Sequence, residues 1–263
     1  MGELRKGKKM ENKTDFESFG GIIEGTSAHL ARTLMIPELT SLFQFTPSNA
    51  SIEEYSKAII EDNCLQKTTV QTRKISFDKL KLLYSLDSNY KLFAMLRALY
   101  EKAPDEIALL AFVCAYCRDY LLRVGDEYLQ SVPVNTSLSG SFFVPVMAEK
   151  FLGRFTDATL ISMSQNLLAS FFKTGHVSGT KMKKVRSQAK PGSASVTYAA
   201  AVAYAMGMRG MYLCDNEYVR ALDCSKEAAL SLLSDADAKG LISLRLLGEV
   251  MDVQFIFAEG IIS

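Results

Sequence analysis

Histidine and paired cysteine are scarce in this chain. It has two histidines, His29 and His176, and five cysteines, of which only Cys114 and Cys117 form a close pair. A structural zinc would call for a second such pair, and Cys214 and Cys224 stand well apart. Cys114 and Cys117 also fall inside an apolar helical pattern, where free thiols behave as small hydrophobes. No metal and no cofactor are expected. Also missing are a Walker sequence, a G-x-G-x-x-G after a strand and a G-x-S-x-G elbow. His29 lies in a helical stretch with no evident acid partner and reads as structural, while His176 reads as the end of a helix. Carboxylate pairs such as Glu53–Glu54 and Asp235/Asp237 fall on stretches that read as exposed helix. Catalysis is not expected.

Long hydrophobic runs are missing too. The longest, "IALLAFVCAYC" at 107–117, is too short for a bilayer and is flanked by charge on both sides. The basic start, "MGELRKGKKMENK", lacks the apolar segment of a signal peptide. A cytoplasmic address without membrane contact is expected.

The third absence is local. Between Asp157 and Asp215 there is no acid, although about six would be expected at the chain's average density. The same 57 positions hold seven Lys or Arg, and the last 49 residues reverse the balance with nine acids against four bases. A near-neutral total, 30 Lys+Arg against 29 Asp+Glu, hides this polarity.

Helical spacing dominates what is present. "SIEEYSKAIIEDN" opens on Ser51 with Glu54 three residues on, a capping-box start. "SFDKLKLLYSL" and "SNYKLFAMLRALYEK" repeat the pattern, the latter with Leu92, Leu96 and Tyr100 on one face. After Pro104, Asp105 and Glu106 can open an apolar helix reaching about Val124. The Ser-, Pro-, Gly- and Asn-rich run 130–141 reads as a linker. It divides a helical domain at 27–129, behind a basic extension at 1–26, from a second domain at 142–263. The second domain offers helices near Val144–Phe155, Thr159–Lys173, Ala194–Met208 and Ser225–Lys239. "LISLRLLGEVMDVQFIF" then suggests a hairpin. Helix followed by hairpin is the order found in winged-helix modules.

The helix Thr159–Lys173 has an apolar stripe of Leu160, Ile161, Leu167, Leu168, Phe171 and Phe172. Its other side is Thr159, Ser162, Gln165, Asn166, Ser170 and Lys173, free of acids. Such a face can enter a DNA groove, where Gln and Asn pair with adenine edges. The basic loop behind it, with Lys173, Lys181, Lys183, Lys184, Arg186 and Lys190, would neutralise phosphates. Lys67, Arg73 and Lys74 form a second candidate footprint. The bland alternative is a solvated helix face beside a soluble loop.

Three segments carry a family resemblance: "IIEDNCLQKTTVQTRKISFDKLKLLYSL", "TLISMSQNLLASFFKTGHVSG" and "SKEAALSLLSDADAKGLISLRLLGEVMDVQF". Together they resemble the BrxA family, a small component of bacterial BREX phage-exclusion systems, over about Ser27 to Phe257. The resemblance implies a mainly α fold, with a NusB-like helical N-terminal domain and a winged-helix-like C-terminal portion containing short β-hairpins. It also implies binding of double-stranded DNA alongside other BREX proteins, including the methyltransferase. The basic extension, Met1 to about Asp15, departs from the family pattern. Two rivals stand beside this expectation. One is a protein–protein assembly factor using the acidic C-terminal segment. The other is RNA binding, which the NusB likeness suggests but which lacks a basic, aromatic-interleaved strand motif.

Overall fold

The computed structural model describes residues 14–25, 27–180, 183–248 and 250–261. It is mainly α with short antiparallel strand pairs. Local chemistry sets most boundaries. Helix α1, Ile36–Phe45, opens with proline in its first turn, where no N–H is needed. Helix α2, Ile52–Ile60, starts on a complete capping box: Ser51 Oγ accepts from the Glu54 amide, and the Glu54 carboxylate accepts from the Ser51 amide at 2.7 Å. Helix α3, Val70–Tyr84, begins six residues before the pattern that announces it, because Thr69 caps it by accepting from the Thr72 amide. Helix α4, Lys91–Lys102, buries Leu92, Leu96 and Tyr100 as expected.

The long apolar helix expected after Pro104 is two helices. α5, Ile107–Arg118, ends at Asp119, and α6, Tyr120–Gln130, begins there. Asp119 is the cause of the break. Its backbone is extended, its carboxylate accepts from the Leu122 amide, and its remaining capacity is taken by Ser27, Ala28 and His29, far away in sequence.

The expected linker, 130–141, contains strand β1, Ser137–Leu138, with Leu138 buried. One apolar core runs across it, from Phe19 to Ala258. Beyond it lie α7, Val144–Lys150, and α8, Asp157–Lys173. A hairpin of β2, Val177–Gly179, and β3, Lys184–Arg186, follows. β1 pairs with β3, so the sheet order is β1-β3-β2. Helix, strand, helix, helix and hairpin, with the first strand beside the last, is a winged-helix order; it spans α6 to β3 rather than the 225–257 stretch where helix and hairpin suggested it.

Helix α9, Ser193–Ala205, is buried on nearly every side and packs on α4 and α5 of the first half. Glu106 caps it from the first half, its carboxylate accepting from the amides of Ala194 and Ser195. Gly192 makes room for that carboxylate, which would lie 2.3 Å from a Cβ there. The short α10, Glu217–Arg220, and α11, Lys226–Ala238, lead to a second hairpin of β4, Ser243–Leu247, and β5, Val250–Gln254. Among the described residues no helix is long and apolar enough to cross a membrane.

Candidate nucleic-acid interface

α7 and α8 form a helix-turn-helix pair, in which the second helix is the one DNA-binding proteins lay in the major groove. α8 starts at a Thr156 cap and is held from beneath by buried Leu160, Met163, Leu167, Leu168 and Phe171. Phe171 packs among Phe112, Phe143 and His176, with ring centroids 5.6–6.1 Å away. Buried Ser164 accepts from the Phe143 amide at 3.1 Å and ties the helix to the start of α7. The outward face therefore has a fixed orientation. It carries Ala158, Ile161, Ser162, Gln165, Phe172 and Lys173.

Several expected contacts keep an outward position. Ser162, Gln165 and Lys173 are exposed, and Thr159 is half-buried with its hydroxyl 2.9 Å from that of Thr156. Asn166 is half-buried, and its amide donates to the His29 carbonyl at 3.1 Å, so that amide is engaged inside the protein rather than offered to a base. Two members of the expected apolar stripe point outward instead. Ile161 is 41% and Phe172 44% exposed, while Ser170, expected on the polar side, is fully buried.

The wing follows directly. Gly179, at φ 104°, turns the chain, and Thr180 donates its amide to the Lys183 carbonyl at 2.9 Å. Lys183 and Lys190 are exposed and Lys184 is half-buried. Among the described residues none of these, nor Lys173, forms an ion pair. Lys181 lies outside the described residues.

Arg186 overturns its expected role. It is only 4% exposed and grips Asp223 with both terminal nitrogens, one at 2.8 Å, while donating to the His176 and Ser187 carbonyls. Burial alone would raise the Asp223 carboxyl, but the Arg186 guanidinium bonded to it holds it below its ordinary value. Arg186 closes the wing onto the α10 end of the chain and is not free for phosphate. His176, next to it, is fully buried, with Nε2 2.9 Å from the Ala221 carbonyl oxygen. Burial pulls its pKa down to about 4, so it is neutral at pH 7.

The second footprint is also partly spent. Lys67 pairs with Glu38 at 2.9 Å. Arg73 donates to the Lys67 and Ile60 carbonyls. Lys74 alone of the three is exposed. Burial would raise the Glu38 carboxyl, but Lys67, with Lys173 close enough to contribute, brings it below its ordinary value. Glu38 thus puts an acid inside the second expected footprint.

One cluster escaped the sequence. His29 sits in a 3-10 turn, Ala28–Leu30, and has an acid partner after all: Nδ1 lies 3.0 Å from Asp119 Oδ2, and Nε2 lies 2.9 Å from Ser170 Oγ. The order Ser–His–Asp resembles a nucleophile relay. Here all three are buried, and the Ser170 hydroxyl also meets the Leu34 amide and the Asn166 carbonyl. In this placement the relay clamps the 27–34 segment onto α8. The partners are too far apart in sequence for spacing to reveal them. Searches against protein-family models and against curated proteins find no match for the chain.

Proposed function

We propose that the protein is a non-catalytic, double-stranded-DNA-binding accessory factor of bacterial BREX phage defence, acting in the cytoplasm. The observation that carries the DNA reading is the exposed face of α8, acid-free from Ala158 to Lys173, beside a wing whose Lys183, Lys184 and Lys190 have no ion-pair partner among the described residues. Ser162 and Gln165 at the N-terminal half of α8 would meet base edges, with Lys173 and the wing lysines on phosphate. Ile161 suits a thymine methyl. The place in phage defence rests on the resemblance of three segments to the BrxA family, and with it come the methyltransferase and other BREX proteins as partners. The test is a fluorescence-anisotropy titration of duplex DNA, single-stranded DNA and structured RNA at two salt concentrations. Tight duplex binding that weakens steeply with salt supports the reading. A preference for RNA, or no binding at low salt, overturns it.

A second reading, an assembly factor, is favoured by the β4–β5 tip, where Leu247 is 83% exposed beside Val250 and Leu246. Nuclease-resistant co-purification with a BREX protein, lost in Leu247→Ser, would support it.

A further inference from the structure

A cleft of about 310 Å³ lies between the 17–22 segment, the end of α3 and the end of α5. Its lining is charged in a balanced way. Lys81 and Arg118 supply two cations, and Glu17 and Asp87 two carboxylates. Among the described residues none of these four forms an ion pair. Arg118 is largely buried and spends three of its five N–H groups on the carbonyls of Gly20, Lys81 and Leu82, leaving two.

The floor has a second unusual feature. Ser85 is buried, and its hydroxyl finds no hydrogen-bond partner among the described residues. An unpartnered buried hydroxyl is costly, and native proteins rarely leave one without cause. Ser85 and Leu86 also hold positive φ angles of 65° and 55°, backbone that non-glycine residues keep only where the surroundings enforce it. Tyr90 offers an exposed ring at the rim, and Ile22 and Ile52 give apolar wall.

We propose that this cleft binds a small zwitterion of the α-amino-acid type. Its carboxylate would take the two spare Arg118 donors and the Ser85 hydroxyl, with Lys81 beside them. Its ammonium would face Glu17 and Asp87, and its side chain would lie against Tyr90 and the isoleucines. The volume is at the small end of ligand pockets. A nucleotide or other polyphosphate is disfavoured, since two carboxylates would confront its charge.

The test is saturation-transfer NMR and thermal shift on the full chain, using the twenty L-amino acids, with acetate, methylamine and inorganic phosphate as single-group probes. At least one amino acid should bind saturably, and neither acetate nor methylamine should match it. Ser85→Ala and Glu17→Gln should each weaken that binding roughly fivefold or more, without lowering the unfolding midpoint. Ser85→Ala discriminates, because removing a buried hydroxyl with no partner in the folded chain relieves a cost and does not weaken the fold, so weaker binding in this variant is not a folding defect. Absence of saturable binding up to about 10 mM overturns the proposal. So does binding that neither variant changes, and so does phosphate binding strengthened by Glu17→Gln. Duplex affinity is measured separately, so failure here is distinct from failure of the DNA reading.

Discussion

His29 Nδ1 and Asp119 Oδ2 lie 3.0 Å apart, although 90 residues separate them along the chain. The same carboxylate accepts from the Ser27 hydroxyl and from the amides of Ala28 and Leu122. Asp119 thus ends one helix, starts the next and fastens the 27–29 turn.

Asp119→Ala should therefore cost about 3–5 kcal/mol, because it leaves several buried donors without an acceptor. Urea denaturation at pH 7 measures this. A loss under about 1 kcal/mol would mean that water replaces the carboxylate.

The pH dependence of stability should fall into two windows. Burial lowers His176 from 6.5 to about 4, so the unfolded chain takes up a proton that the folded chain refuses. Stability should then fall by roughly 3 kcal/mol as the pH drops from 6.5 to 4. His176→Gln should remove this contribution from the slope. Burial would raise Asp119, but His29, Ser27 and the Leu122 amide bring it down to about 2. Its contribution is present above pH 4 and is lost as the pH falls through 2, about 2 kcal/mol in all. Urea midpoints of wild type and both variants across this range give the test.

The basic loop should split by mutation. Replacing Lys183, Lys184 and Lys190 by alanine together should lower the salt slope of duplex binding by about 0.9 log unit per lost phosphate contact, with little effect on folding. Arg186→Ala should instead destabilise the fold by about 3–5 kcal/mol, since it strands the largely buried Asp223. Anisotropy at several salt concentrations, paired with thermal unfolding, separates the two classes. An unchanged slope in the triple variant would remove the wing from the interface.

Gly179→Ala should open the wing. At φ 104° its Cβ would meet the Lys183 carbonyl oxygen at 2.2 Å, a backbone atom that cannot swing aside. Amide exchange should speed up across β2 and β3, while α4 and α5 keep their protection. Uniform protection in the variant would contradict this.

Much of the fold was readable from neighbours in sequence. Ser51 with Glu54, Thr156 ahead of α8, and the alternation around Gly248 each act within a few residues, and those elements stand where spacing placed them. The misses share one physical origin. Asp119 breaks a helix because its partners lie near His29, and Arg186 is withdrawn from the loop because Asp223 lies 37 residues on. A run of lysines and arginines looks uniform until distant carboxylates choose among its members. The candidate interface was legible as a face and a loop, but not in its membership. Asn166 and Ser170 turned inward to hold the 27–34 segment, and Ile161 and Phe172 turned outward.

The all-round burial of α9 has a consequence for biosynthesis. Its Tyr198 hydroxyl donates to the Leu92 carbonyl, and its alanines fill space against α4 and α5. A ribosome releases those earlier helices long before residues 193–205 leave the exit tunnel. Until then the nascent helices have a gap where α9 belongs, and they can close up fully only once it arrives. Folding of the first half is thereby timed by the second.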